Sequence, residues 1–301
     1  MPSIFFTPGQ RLRPIWRFLL ALLVFFAAEY LAAALASFVP GRRPLLFNLV
    51  FEFLDLALLL AGFSFLLIIV DGVEGPPLSA MGLTLRRPWL RESFTGFAMG
   101  ALLVVVAFLI LVVIGSVSST LYNLSARNLV RAAAVFALLA FGALSEEVVF
   151  RGYPFQRLIE AVGVAPALVF VSLLFGGMHA SNPHATTWGV LNTALFGVLA
   201  SIAYLRTRAL WLPWGIHYGW NLALGLVLGL PVSGLSLFSV LGRTTVSGPI
   251  WLTGGNYGIE GSATGTAAMA LGVVIVLVCT RRAERARSSQ SPGAASEQLS
   301  S

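Results

Sequence analysis

The chain has 301 residues, of which 57% are hydrophobic and only 10% charged, and its mean hydropathy is +0.88. A soluble globular chain is about one quarter charged, so this composition excludes an ordinary water-soluble domain and requires lipid as the solvent. A single cysteine, Cys279, excludes an internal disulfide and a cysteine-rich metal site.

A helix crosses the bilayer core with about 20 apolar residues. Runs of that kind predict spans over 16–38, 45–70, 94–115, 130–155, 165–181, 187–204, 209–230 and 264–280. The expected fold class is all-α, a polytopic helical membrane protein with about eight transmembrane helices. The first run resembles a signal peptide, with arginines before it and Ala32-Ala33-Ala34-Leu35-Ala36 near its end. It exceeds the 7–15 apolar residues typical of such a segment, so it reads as a retained helix. Between the second and third runs lies a polar loop with Asp71, Glu74 and Arg86-Arg87, which Pro76 and Pro77 keep from forming one helix. Residues 231–242 read as a ninth span or a re-entrant piece, and the Gly-, Ser- and Thr-rich 243–262 as an extramembrane loop. The chain thus divides into N-terminal helices and loop (1–92), a helical core (93–242), a loop with the last span (243–281) and a basic tail expected to be disordered (282–301).

All basic residues are arginines. With the N-terminus inside, 14 of them fall on cytoplasmic segments and 5 on the other side. The positive-inside rule then puts a multi-pass protein in the cell membrane with both termini cytoplasmic. The net charge of +7 is a topology and lipid-anchoring signal rather than a nucleic-acid one.

Ionisable groups at mid-helix in hydrocarbon cost at least about 2.5–3.5 kcal/mol each, so they mark functional candidates. Three clusters stand out. In Ser145-Glu146-Glu147-Val148-Val149-Phe150-Arg151, Glu147 and Arg151 are four apart and share a helix face. Glu146 is rotated about 100° away and has only Phe150 at the matching position. One carboxylate is therefore satisfied locally, and the other needs a partner on another helix. In Phe175-Gly176-Gly177-Met178-His179, the glycines remove side chains one turn before the histidine, which lets a helix or substrate backbone approach. In His217-Tyr218-Gly219-Trp220-Asn221, His217 and Asn221 share a face and can donate together. Trp211, Trp214 and Trp220 read as interfacial aromatics. His184 follows Pro183 in a loop and is not expected to act in catalysis. A carboxylate, two imidazoles and a carboxamide on three helices are what hydrolysis in a membrane needs: a base for water and donors for an oxyanion.

These motifs resemble the CAAX-protease and bacteriocin-processing (CPBP) intramembrane endopeptidases, the family that includes the Ras-converting CAAX endopeptidase. That family carries Glu-Glu-x-x-x-Arg, Phe-x-x-x-His and His-x-x-x-Asn or Asp, in this order. Here they stand as Glu146-Glu147-x-x-x-Arg151, Phe175-x-x-x-His179 and His217-x-x-x-Asn221, within about residues 130–225. The resemblance implies an endopeptidase acting on a peptide or membrane-protein substrate. It also implies that Glu146 and His179 activate water, His217 and Asn221 stabilise the oxyanion, and Glu147 and Arg151 hold the architecture.

The cofactor stays open at this stage. Zinc would take Glu146, His179 and His217, a His₂Glu set of the catalytic kind; a metal-free site would leave Glu146 as the base, and the residues lean that way. The rival function is a transporter or proton relay running through Glu29, Glu52, Asp55, Glu146 and His179. No internal repeat of the transporter kind is visible. Glu52 and Asp55 otherwise read as helix N-terminal stabilisers or partners of Arg42 and Arg43. One geometric demand follows from the spans: His217 lies on the order of 10 Å nearer the cytoplasm than His179 at the helical rise, which tilt, a broken fifth helix around Gly176-Gly177 or a shifted seventh span would reconcile.

Overall fold

The computed structural model describes residues 4–289, apart from positions 8, 10, 42, 86, 87 and 123, with side chains described to Cys279. Arg42, the Arg86-Arg87 pair and residues 290–301 of the expected tail lie outside the described residues.

The helices are α1 (Pro14–Ala36), α2 (Pro44–Phe65), α3 (Pro77–Ala80), α4 (Trp89–Val113), α5 (Ala126–Arg151), α6 (Tyr153–Val162), α7 (Val164–Met178), α8 (Thr187–Thr207), α9 (Trp211–Leu222), α10 (Ile250–Thr253) and α11 (Ala263–Ser289). Among the described residues, six helical stretches are long and apolar enough to cross a membrane, and Ala263–Cys279 is a shorter apolar helix. Large apolar side chains such as Leu23, Phe26, Phe94, Leu102, Val113 and Leu173 point outward, as a lipid-facing surface demands. The protein is a polytopic helical membrane protein.

Each predicted span meets a helix, with informative differences. The fourth ends at Arg151 and gives way to a separate α6, because Gly152 leaves helical geometry and Pro154 opens the new helix. The seventh is α-helical only over Trp211–Leu222 and then widens into a π-helical turn, Ala223–Val227. Residues 231–242 form no ninth helix; the chain there is irregular, with a bridge between Val232 and Leu235. α11 extends into the segment expected to be a tail. Sequence periodicity missed a two-stranded antiparallel ribbon, β1 (Val117–Leu121) with β2 (Gly242–Val246), in register from Val117↔Val246 to Leu121↔Gly242.

The closest helix crossing is between α4 and α9. Gly96 and Gly100 face Gly215 and Gly219, and a Cβ at any of the four would strike the opposing backbone. Small residues four apart allow this approach in a membrane, where packing rather than water expulsion joins helices. Trp214 Nε1 donates to Ala140 O and Tyr218 Oη to Phe136 O, fixing α9 against α5 as well. At another end of the bundle Asp71 accepts from Arg17 at 3.1 Å and Arg157 at 2.9 Å, which ties the chain after α2 to α1 and α6.

Candidate active site

The three sequence clusters meet. Glu147 and Arg151, on the buried face of α5, are both 0% exposed and pair at 3.2 Å. Arg151 Nη2 also donates to Gly197 O at 3.0 Å, so the pair reaches α8. The guanidinium lies over the Phe175 ring, 4.8 Å from its centroid. A buried ion pair is better tolerated the more of its hydrogen-bonding positions are filled; in this pair Glu147 Oε2 and Arg151 Nε have no partner. Here the second partner of Glu147 is His217, whose Nδ1–H donates to Oε1 at 2.9 Å. α9 supplies that histidine, and the glycine crossing with α4 sets how deep α9 sits.

Glu146 lies one helical step away and faces elsewhere, as its spacing predicts. Its Oε2 stands 3.7 Å from His217 Nε2, beyond hydrogen-bond length, and has no hydrogen-bond partner. Both oxygen positions of the Glu-Glu pair thus border one imidazole: Glu147 holds Nδ1, and Glu146 faces Nε2.

His179 stands where α7 ends. The α-helix stops at Met178 and tightens into a 3₁₀ turn over His179–Ser181. Its Nδ1 lies 2.8 Å from Phe175 O; a carbonyl only accepts, so Nδ1 carries the hydrogen and Nε2 is left as the free lone pair. Phe175 is buried between the two histidines, with ring centroids 4.8 Å from His179 and 6.0 Å from His217. The two imidazoles therefore flank one ring despite the offset of the predicted spans, and α7 ends one residue after Gly177, at Met178. Gly176 supplies the close approach expected of it, against Val190 O and Ala194 of α8, whereas Gly177 faces open space.

Glu146, His179, His217 and Asn221 line one cavity of about 260 Å³, together with Phe175 and Glu52. His184 does not line it. Two further residues contribute, of which the first escaped the sequence reading and the second was read only as part of the rival relay path. Glu260, 7% exposed, lies in the segment expected to be a plain loop. Its Oε1 accepts from Trp220 Nε1 at 3.1 Å, and its Oε2 from the backbone and hydroxyl of Ser233. Trp220 is therefore a core anchor rather than an interfacial aromatic. Through these bonds residues 232–238 are folded back to wall the cavity with Val232, Ser233, Leu235 and Phe238. Burial holds the Glu260 carboxyl above the usual carboxylate range. The second contributor is Glu52 of α2, whose carboxylate lies against Gly142, one turn before Glu146. No acidic residue occupies the first turn of α2, and Glu52 and Asp55 make no ion pair among the described residues. The helix-terminus reading of these two acids is thereby corrected, and neither pairs with Arg43; pairing with Arg42 lies outside the described residues.

The donor set does not fit zinc as it stands. A catalytic zinc gathers three protein donors at about 2.0–2.2 Å from one point. Among the described residues, no three His, Cys, Asp or Glu side chains come together closely enough for a metal ion. No step is drawn through one.

Residues 128–223 match the family model described as Type II CAAX prenyl endopeptidase Rce1-like. The match begins at the start of α5 and ends just beyond Asn221, so it spans all three motifs. Neither the curated proteins nor the solved structures hold a match to the chain. Over these residues the chain is similar to the Rce1-like CAAX prenyl endopeptidases, a family of CAAX-type intramembrane proteases.

Proposed function

We propose that this protein cuts a peptide bond of a membrane-associated protein or peptide with water activated by Glu146, without a metal. The observation that carries the reading is the asymmetry of the Glu-Glu pair. Glu147 is held through Oε1 by Arg151 and His217, whereas Glu146 has no such bonds at Oε2 and lines the cavity.

In this reading Glu146 takes a proton from a water that also donates to the free Nε2 of His179. The resulting hydroxide attacks the scissile carbonyl carbon, and the carbonyl oxygen becomes the oxyanion. Asn221 donates to it through its amide. His217 donates through Nε2 once its ring carries both protons, with Glu147 on Nδ1 to balance the charge. The C–N bond then breaks, and Glu146 passes its proton to the leaving amine. Donors set in advance around a developing oxyanion contribute most in a site that excludes bulk water.

The arginine distribution supports a cell-membrane location with both termini in the cytoplasm. Residues 93–242 form the proposed protease core, and 1–92 and 243–281 flank it. The test is purified protein in liposomes with a lipid-anchored peptide library. Wild type cleaves and Glu146→Gln does not. Substrate-coupled proton uptake that survives Glu146→Gln would establish the transporter instead.

A further inference from the structure

A second cavity, of about 90 Å³, lies behind the catalytic one and shares Glu52, Glu146, Met178 and His179 with it. α1 contributes Glu29 and α2 contributes Asp55. With Glu52 and Glu146 this makes four carboxyls from three helices. Neither cavity has an arginine in its lining; Arg17 pairs with Asp71 and Arg151 with Glu147. Asp55 is 2% exposed and lines the cavity beside Ser145; the carboxylate and the hydroxyl interact with each other, yet no hydrogen bond of ordinary geometry satisfies Asp55 Oδ1 or Ser145 Oγ. Buried polar atoms are almost always bonded, and each exception calls for an explanation.

The packing looks built for this arrangement. A Cβ on Gly142 would sit 3.2 Å from the Glu52 carboxyl carbon, so the glycine makes the room that Glu52 occupies. The other walls are apolar, among them Phe25, Phe51, Val149 and Phe150. An aliphatic stem ending in a positive charge matches apolar walls with carboxylates at the far end. A metal ion does not, because among the described residues no three His, Cys, Asp or Glu side chains come together to hold one. Space of this size holds several waters or one slender side chain.

We infer that the Glu29–Glu52–Asp55 cavity is a substrate subsite for a basic side chain, lysine or arginine, flanking the scissile bond. It rests on the protease reading, because the cavity opens beside Glu146. The cationic head would meet Asp55 and Glu29 while the backbone next to it crosses Glu146.

The test uses full-length protein in lipid nanodiscs and lipid-anchored fluorescent peptides, identical except for lysine, norleucine or glutamate at each position around the cleavage site. Binding is measured first, on Glu146→Gln protein, so that the result does not depend on turnover. Lysine at one position binds about tenfold or more tightly than norleucine, as close charge pairs in recognition sites do. Asp55→Asn combined with Glu29→Gln removes that ratio. Asp55→Glu, which keeps the charge, retains a preference for lysine and controls for misfolding. Equal binding of lysine and norleucine peptides at every position overturns the subsite, as does a ratio that survives the double variant. Cleavage by wild type is scored separately: if Glu146→Gln still cleaves, the protease reading fails while the binding ratio stands on its own.

Discussion

His217 Nδ1 lies 2.9 Å from Glu147 Oε1, deep in the protein where neither side chain meets solvent appreciably. This one bond links the ion pair on α5 to the imidazole on α9 and fixes which ring nitrogen faces the cavity. The adjacent Glu146 is therefore freed from structural duty, and the two glutamates should respond differently to substitution.

Removing one partner from a buried, hydrogen-bonded ion pair costs about 3–5 kcal/mol, because the other charge is left stranded. Arg151→Ala strands Glu147 and frees Gly197 O. The expected outcome is poor accumulation and a clearly lower unfolding midpoint in detergent, read by fluorescence-detected size exclusion across a temperature series.

Gly219→Ala drives a methyl into the Phe97 backbone at the α4–α9 crossing. Overpacking of this kind costs about 1–3 kcal/mol. It also moves the helix that carries His217 and Asn221, so cleavage falls along with stability. Gly177→Ala, which meets open space, leaves both unchanged. Parallel unfolding and cleavage assays on the two variants check the contrast.

Glu260 governs how residues 232–238 cover the cavity. Its carboxyl holds a proton more tightly in the folded protein than in an open loop, because burial raises its pKa. Its contribution to docking is therefore complete at pH values below the ordinary carboxylate range and is lost as pH rises through the raised value. The hydrogen-exchange protection factors of residues 232–238, with the intrinsic pH dependence of exchange divided out, should fall from acid to neutral pH in wild type. Glu260→Gln flattens that dependence.

A metal-free site predicts full cleavage after exhaustive chelation and no zinc in stoichiometric amount in purified protein. Elemental analysis with a chelator titration measures both. Activity lost to the chelator and restored by zinc alone would put a metal in the site.

Much of the site was legible in the sequence because its chemistry is written in helical spacing. The four-residue interval of Glu147 and Arg151 separates the two glutamates before any fold is known, and the structure pairs them as that interval requires. His179 and His217 were visible as intramembrane imidazoles, but their meeting depended on the end of α7 at Met178, which periodicity does not mark. Glu260 escaped because it sits in a glycine-rich, irregular segment whose return to the cavity is a tertiary event. The ribbon between Val117–Leu121 and Gly242–Val246 escaped for the same reason. The α4–α9 crossing did leave a signal, Gly96-x-x-x-Gly100 and Gly215-x-x-x-Gly219, each within an apolar run.

The central claim is the division of labour between Glu146 and Glu147, and a side-by-side comparison of Glu146→Gln with Glu147→Gln tests it most directly. Both variants are purified into the same lipid, and unfolding midpoint and peptide cleavage are measured on each. The account predicts that Glu146→Gln folds as wild type does and loses cleavage by about 10²–10⁴-fold, the usual contribution of a general base. Glu147→Gln should accumulate poorly and unfold early. Substantial cleavage by a well-folded Glu146→Gln, or equally mild effects from both changes, would contradict it.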